Sequence, residues 1–474
     1  MPQMGIIKMV EITIQDMNDN KTLLEVENVY SVLLAGGTGS RLWPVSRELY
    51  PKQLVKFIGD NSFVQLTIKR IEPLLDTEKV RIICGSEHFH ETAKHMKSIG
   101  IDPEGKIYCE PCGRNTAPAI LYALLTILKK DTDPVLCIFP ADHVIDNVDM
   151  FLNKLKSAIK LANSGYIVTF GITPHYPETG YGYVEGGNSV SEGALKLKRF
   201  VEKPNLSTAK TYLEAGKFYW NSGMFAFKAS VMLEEFKTYQ KEMIVTMDQI
   251  LSAGELPEKE AYEQLTDISI DHAIMEKTKK GVVLPSEFGW SDIGSWKSLY
   301  DFLPKDDDNN VIDGDVIAKD TKNSFIMGHK RLIATNHINN MIVVETPDSV
   351  FVSDIDNSRD VKLIVKKLKE KGRKEYQKHR KVNHSWGSAS LLEKKKDYQV
   401  SRIILYPDAL YEVQADAFSL KRLDILEGNA EVITDNEKCL LVKGESTTIS
   451  GNNRATVKNA GESNLYMIEI YIRN

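Results

Sequence analysis

One stretch constrains this chain more than any other. An apolar run from Val29 to Ala35 breaks into Gly36-Gly37-Thr38-Gly39-Ser40 and continues as Arg41-Leu42-Trp43-Pro44. The run reads as a buried strand. Glycines directly after a strand let backbone N–H groups approach an anion closely. Arg41 follows as a fixed cation whose planar fork suits phosphate oxygens. Lys52, within Tyr50-Pro51-Lys52-Gln53-Leu54, adds a second and more mobile charge. The loop is not a Walker A motif, because no Gly-Lys-Ser/Thr stands at the required distance, and its glycines lack the dinucleotide-binding spacing. It reads as a cradle for a polyanion at the end of a strand.

The apolar pattern recurs at Val80 to Cys84, Val135 to Phe139 and Tyr166 to Phe170, with helical stretches between, such as Ala117 to Lys130 and Met150 to Asn163. This alternation predicts an α/β fold, a Rossmann-like and mostly parallel sheet covered on both faces. Ligands of such sheets bind outside the carboxyl ends of the strands, where the glycine loop lies. Helical and loop segments run to about Leu303, and the acidic, Asn-rich stretch Lys305 to Asn310 reads as a linker. Short strands with turns at Asp313-Gly314 and Asn339-Asn340 fill Val311 to Val352. The basic, helical stretch Val361 to Lys381 reads as a solvated connector. After Trp386, short β runs predict a small all-β barrel or sandwich. The expected division is an extension over 1–28, an α/β domain over 29–304, a β-rich segment with its connector over 311–382, and a barrel over 383–474.

A chain of 474 residues has room for two or three cores. With 60 basic and 65 acidic residues the net charge is −5, which gives no basis for a nucleic-acid surface but leaves room for a local phosphate pocket. Five cysteines (Cys84, Cys109, Cys112, Cys137 and Cys439) are too few and too scattered for a disulfide framework, and a reducing cytoplasm fits them. Cys109 and Cys112 have half-zinc-site spacing without a matching second pair. His88, His90 and His95 read as the solvated start of a helix. No apolar run approaches the ~20 residues of a membrane span, and Met4 to Ile14 has no signal-peptide pattern. A cytoplasmic protein with no membrane partner is expected.

Further motifs follow the glycine loop in order: Glu110-Pro111-Cys112-Gly113-Arg114-Asn115-Thr116-Ala117-Pro118-Ala119, Pro140-Ala141-Asp142-His143, Thr179-Gly180-Tyr181-Gly182-Tyr183, Phe200-Val201-Glu202-Lys203-Pro204, Trp220-Asn221-Ser222-Gly223-Met224-Phe225, and Gly289-Trp290-Ser291-Asp292-Ile293-Gly294-Ser295-Trp296. With Ala35 to Pro44, this series resembles the nucleotidylyltransferases that activate sugar phosphates, and within them the bacterial mannose-1-phosphate guanylyltransferases. The resemblance spans about Val29 to Lys369 and continues more loosely to the C-terminus.

The resemblance implies attack of mannose 1-phosphate on the α-phosphorus of GTP, giving GDP-mannose and pyrophosphate. A phosphate monoester with a second pKa of ~6 is already mostly dianionic near neutrality. No general base is needed, and His143 reads as structural. The site must instead align two polyanions and offset their repulsion, which calls for Mg²⁺ (or Mn²⁺) with Arg and Lys. By resemblance Asp142 and Asp292 are the metal-binding carboxylates, and an Asp capping the next helix is the structural alternative for either alone. Arg41 and Lys52 would grip the triphosphate. Lys203 would hold the sugar phosphate, while Glu202, Asn221 and the backbone at Gly180 would hold the sugar. The nucleotide would lie on Leu34, Ala35, Gly36, Gly37, Thr38, Gly39 and Ser40, with Arg114, Asn115 and Thr116 beside the base. Guanine itself is implied by likeness alone, with no side chain assigned to it.

The chain departs from the family in three places. Residues 1–28 precede the first strand. His272, in Ser269-Ile270-Asp271-His272-Ala273, stands where Tyr is usual, and a packing substitution is the expected reason. Long members end in a cupin-like barrel, which in bifunctional ones is a metal-dependent isomerase, but here Asp416, Phe418, Lys421 and Ala455 fall where its His and Glu ligands would stand. Lysine ammonium is no ligand, so a barrel without isomerase activity and a packing or dimer-contact role are expected. Another sugar 1-phosphate such as a heptose, another nucleotide, or a non-catalytic nucleotide-sugar binder are the alternatives.

Overall fold

Along the first strand, β1 (Val29–Leu34), alternate residues feed two different cores. Val29 and Leu33 pack with the helices α1 (Phe63–Ile71), α2 (Phe89–Lys97) and α4 (Val148–Asn163), whereas Tyr30 and Val32 pack with α3 (Thr116–Leu128). The strand β4 (Val135–Pro140) splits the same way, with Cys137 and Phe139 on one side and Leu136 and Ile138 on the other. Helices therefore cover both faces, as the near-continuous apolar strands require. The computed structural model describes residues 28–37, 39–254, 256–434 and 437–473, so 1–27 of the N-terminal extension and Thr38 lie outside the described residues.

The strands β2 (Val80–Gly85), β3 (Ile107–Glu110), β6 (Ile167–Ile172), β7 (Tyr183–Ser189), β8 (Leu195–Val201), β9 (Phe218–Lys228) and β10 (Gly281–Ser286) complete a nine-stranded sheet in the order β3-β2-β1-β4-β9-β6-β10-β8-β7. Its N-terminal half is parallel, and β9 runs antiparallel between β4 and β6. A separate two-stranded ribbon pairs β5 (Val144–Ile145) with β11 (Trp290–Ser291). Its register, Ser291 opposite Val144, carries Asp292 back beside Asp142 and His143.

Two histidines of the presumed solvated helix start are buried. His95 meets the Ser62 hydroxyl at 2.8 Å, and burial lowers its pKa to about 4. The His88 ring donates to the carbonyl of Glu48 at 2.8 Å. Helix periodicity points His95 inward beside Met96, which sequence reading gave to solvent.

The stretch 305–310 is a hydrogen-bonded turn and not a free linker. Asp306 accepts from the backbone N–H of Asn310, whose buried side-chain amide donates to the carbonyl of Thr321 at 2.8 Å. This turn opens a parallel coil in which Val311–Asp313, Phe325–Met327 and Met341–Thr346 stack in register. The coil's Val311, Phe325, Ile342 and Val344 share one apolar cluster with Leu42, Trp43 and Trp296. The basic helix Val361–Glu370 joins the same cluster through Val361 and Val365, so one face is buried and only the other is solvated.

Residues 375–379 then run beside the segment that follows the glycine loop. Trp43 donates to the carbonyl of Glu375 at 2.8 Å, Leu49 to that of Gln377 at 2.8 Å, and the His379 ring to that of Val45 at 2.8 Å. Arg47 is fully buried and bound to Asp348 of the coil at 2.7 Å. Removing one partner of a buried pair costs about 3–5 kcal/mol, so this is a strong latch between coil and loop.

The last ninety residues form two facing antiparallel sheets of six and four strands around Ile403, Leu423, Val432, Val457 and Met467. This is the small all-β unit expected.

Candidate active site

The carboxyl end of β1 is tied to β2 and β4 where the glycine loop leaves the sheet. Ala35 donates to the carbonyl of Ile83 at 2.8 Å, and Ala141 to that of Leu34 at 3.0 Å. Gln53 reaches under the loop and donates to the carbonyl of Ala35 at 2.5 Å. That residue was passed over in the sequence, where only its neighbour Lys52 carried a charge. At Gly39, with φ of 54°, an added Cβ would stand 2.7 Å from the backbone nitrogen of Lys52. The loop therefore lies directly on the turn Lys52–Leu54, which only glycine permits.

This contact reverses the expected roles of the two cations. Lys52 is 5% exposed and fixed, donating to the Asp142 carboxylate at 2.9 Å and to the main-chain oxygen of Asp292. Arg41 is the exposed one and forms no ion pair among the described residues. Packing beneath Gly39 and against the Phe63 ring immobilises the lysine side chain.

Asp142 sits in a balance of opposing effects. Burial pushes its carboxyl up, but Lys52 and His143 together outweigh burial and hold it below its ordinary value. Burial lowers the His143 pKa against the pull of Asp142. Trp290 donates to His143 Nδ1 at 3.2 Å, which leaves the proton on Nε2, 3.7 Å from Asp142. The Asp292 carboxylate accepts from the Tyr181 hydroxyl and from the Gly294 N–H, both at 2.9 Å.

These residues line a cleft with two lobes. One, of about 340 Å³, has Gly39, Ser40, Arg41, Lys52 and Asp292 in its walls. The other, of about 410 Å³, is lined by Leu34, Gly36, Gly37, Arg114, Asn115 and Thr116, and by Glu110 and Asp271. Asp142 lines both and marks their junction. The side chains of Asn115 and Thr116 are engaged in the wall itself. Asn115 caps α3 by accepting from Thr116 N–H at 2.9 Å, and the Thr116 hydroxyl accepts from Ile270 N–H at 2.8 Å. Arg114 donates to the carbonyl of Glu263.

Of the remaining motif residues, Asn221 joins the wall of the larger lobe through Asp271. Asn221 donates to Asp271 at 3.1 Å, while its own oxygen accepts from Thr169 and Gly223 at 3.2 Å each. Glu202 pairs with Lys203 and closes over Gly182, where a Cβ would stand 2.7 Å from the carboxylate. Gly180 donates its N–H to Glu178 at 2.7 Å, and Glu178 is in turn bound by Arg359 of the coil segment at 3.2 Å.

Two carboxylates were missed by sequence reading. Asp271 faces the lobe, and burial together with the nearby Glu202 raises its pKa to about 6. His272, the residue that drew notice, is exposed and bound to Glu276 at 2.7 Å. Glu110 is 6% exposed, accepts from the Tyr262 hydroxyl at 2.8 Å, and is raised to about 7 by burial against the pull of that bond.

In the barrel, Asp416 is spent on its own turn, accepting from Phe418 N–H at 2.9 Å, and Phe418 is exposed. Ala455 is buried in the apolar core. Lys421 lies 3.3 Å from Glu469, which also accepts from the Tyr411 hydroxyl at 2.9 Å. Among the described residues no three His, Cys, Asp or Glu side chains converge on a metal-sized site. No helix among them is long and apolar enough to cross a membrane.

The family described as Nucleotidyl transferase matches residues 30–309, the MannoseP isomerase/GMP-like beta-helix domain matches 314–368, and the Mannose-6-phosphate isomerase C-terminal family matches 371–474. The mannose-1-phosphate guanylyltransferase of Salmonella muenchen is 40% identical over 447 residues, covering 93% of this chain and 94% of the relative. The xanthan biosynthesis protein XanB of Xanthomonas campestris is 39% identical over 451 residues, covering 94% and 96%. Among solved structures, the Thermus thermophilus protein described as mannose-1-phosphate geranyltransferase superposes with a TM-score of 0.66 at 30% identity, over 72% of this chain and 99% of that one. The chain belongs to the nucleotidyl transferase family and, within it, to the group of long bacterial mannose-1-phosphate guanylyltransferases.

Proposed function

We propose that this protein makes GDP-mannose and pyrophosphate from GTP and α-D-mannose 1-phosphate. The observation that carries the reading is the two-lobed cleft whose junction is Asp142, with Lys52 bound between that carboxylate and the Asp292 main chain. A phosphate oxygen of the sugar phosphate bonds to the α-phosphorus as the bond to the β-phosphate oxygen breaks, and pyrophosphate leaves. The attacking dianion needs no base, which agrees with a His143 whose ring is committed to Trp290 and Asp142. Lys52 counters charge on the α-phosphoryl group from a fixed position, and exposed Arg41 folds onto the outgoing phosphates. Gly36, Gly37, Gly39 and Ser40 offer backbone donors to the nucleotide, with Arg114, Asn115 and Thr116 beside the base. Glu202, Asn221, Asp271 and the Gly180 loop receive the sugar, and Lys203 its phosphate.

Asp142 and Asp292 suit Mg²⁺ or Mn²⁺. Both are hard oxygen donors facing one cleft, and fewer than three protein ligands is usual where substrate phosphates complete the set. A bound divalent ion would supply Lewis-acid stabilisation of phosphate charge. In the barrel, Lys421 stands at one of the four positions named for relatives' ligands and pairs with Glu469 at 3.3 Å, so we infer no isomerase centre there.

A panel of the common nucleoside triphosphates against several sugar 1-phosphates, read by pyrophosphate release, tests the reading. GTP with mannose 1-phosphate should lead. A strong preference for UTP or dTTP would overturn the guanylyl assignment, and no turnover with any pair would favour a non-catalytic binder.

A further inference from the structure

The basic helix Val361–Glu370 and the segment after it segregate positive charge. Residues 361–381 hold ten lysines and arginines against two glutamates, a net charge of +8 in a chain whose total is −5. The rest of the protein therefore stands at −13. All ten cations are exposed. Three have a carboxylate partner: Lys366 with Glu370 at 4.0 Å, Lys369 with Glu48, and Arg373 with Glu375. The other seven, from Lys362 to Lys381, form no ion pair among the described residues.

Packing makes these cations part of one fixed surface. Val361 and Val365 seat the helix on the cluster that holds Leu42 and Trp43. The Lys369 ammonium lies 5.0 Å from the centre of the Tyr376 ring, and the Tyr376 carbonyl accepts from the N–H of Glu48, the residue that Lys369 binds. The helix end and residues 375–379 are thus neighbours. Opposite the buried stripe stands Leu363, 52% exposed, with Lys366 and Lys367 flanking it one turn on. Ile364 beside it is 38% exposed.

This combination of chemistry says what fits. A nucleic-acid backbone would take the cations and leave Leu363 in water. An anionic lipid surface matches both features, because headgroup phosphates receive the ammonium groups and the acyl boundary receives leucine and isoleucine.

We propose that this face docks the protein reversibly on an acidic phospholipid bilayer, with Leu363 and Ile364 entering the headgroup region and the surrounding lysines binding headgroup phosphates. The contact is peripheral, since the other half of the helix stays on the protein core. Nothing in it depends on which nucleotide or sugar fills the cleft.

The test sediments the full chain with vesicles of phosphatidylcholine alone or with about one-third phosphatidylglycerol, at low and high salt. The wild type should bind the acidic vesicles at least about 100-fold more tightly than the neutral ones, and lose most of that advantage at high salt. Replacing Lys362, Lys367 and Lys371 together by Gln should weaken binding about 100-fold, at about fivefold for each charge removed. Leu363→Gln should weaken it about three- to tenfold. Turnover without vesicles should be unchanged in both variants, because none of these residues lines the cleft, and that readout shows them folded. Equal binding to neutral and acidic vesicles would overturn the proposal. So would a Leu363→Gln variant that binds acidic vesicles as tightly as the wild type, or a wild type that prefers single-stranded DNA to the acidic vesicles.

Discussion

Lys52 donates at 2.9 Å to Asp142, which lies 90 positions away, and also to the main-chain oxygen of Asp292, 240 positions away. One ammonium thus stitches together the ends of β4 and β11, the two segments that carry the aspartates. It also competes with any cation for the Asp142 carboxylate, because both want the same oxygen lone pairs.

That competition gives an unusual pair of outcomes for Lys52→Met. Without nucleotide, Mn²⁺ affinity should rise by several-fold, as read by paramagnetic resonance, since the competing charge is gone. Turnover should nonetheless fall by at least about 100-fold, because a preorganised cation at the α-phosphoryl group is lost. Weaker metal binding in the variant would contradict the arrangement.

Asp292→Asn separates charge from scaffold. The amide oxygen can still accept from Tyr181 and Gly294, so the loop should hold its shape and the thermal midpoint should move by no more than a few degrees. Half of the proposed anionic metal site would vanish. Turnover should drop by at least about 100-fold, with the Mg²⁺ concentration for half-maximal rate increased. Unchanged activity would remove Asp292 from the metal's coordination.

Arg359→Gln tests whether the coil supports the sugar lobe. Arg359 binds Glu178, which orders Gly180, yet its side chain is 60% exposed, so the pair is worth only about 0.2–1 kcal/mol. KM for the sugar phosphate should rise about two- to fivefold, with kcat and the KM for GTP nearly constant. Raised salt should mimic the substitution in the wild type. A loss confined to kcat would place the effect elsewhere.

What could be read from the sequence follows from how local each cause is. The strand, its glycine break and Arg41 lie within thirteen residues, and local patterning revealed them. The immobility of Lys52 comes from partners far along the chain, so residue type alone suggested a mobile charge and erred. Asp271 hid beside His272, whose departure from its relatives attracted notice although helical geometry turns it outward. Glu110 stood in a quoted motif, but its burial depends on Tyr262, which no spacing rule connects to it. The turn at 305–310 looked like a linker because Asp and Asn are loop formers, and here they satisfy one another and Thr321.

Asp271→Asn should exchange binding for stability. Burial and Glu202 raise the Asp271 pKa to about 6, above the ~3.9 of an unfolded chain. The folded state therefore holds this proton more tightly than the unfolded one, and ionisation destabilises the fold progressively from about pH 4 to pH 6. Asparagine carries no such penalty. The variant's thermal midpoint should exceed the wild type's at pH 8, and the difference should disappear near pH 4. At pH 8 its KM for mannose 1-phosphate should rise, because a neutral amide is the weaker acceptor for sugar hydroxyls. A variant less stable than the wild type at pH 8 would show that the carboxylate is stabilised by something other than its proton.

The barrel offers the last test, since its polar cluster contains Lys421, one of the four positions at which the resemblance sets the ligands of isomerase-bearing members. Lys421 and Tyr411 both point at Glu469, whose side chain is 7% exposed. Burial and that carboxylate push the Tyr411 hydroxyl's pKa up, so it remains a donor throughout the accessible pH range. Replacing Glu469 with Leu leaves Lys421 without its counter-charge and should cost about 1–3 kcal/mol of barrel stability. The double change Lys421→Met with Glu469→Leu should recover most of that loss, because two apolar groups leave no orphaned charge. Neither the wild type nor these variants should interconvert fructose 6-phosphate and mannose 6-phosphate when Zn²⁺ or Co²⁺ is added, because an ammonium cannot serve as a metal ligand. Metal-dependent isomerisation by the wild type would refute this account of the barrel, whereas a double variant no more stable than the single one would refute the pairing.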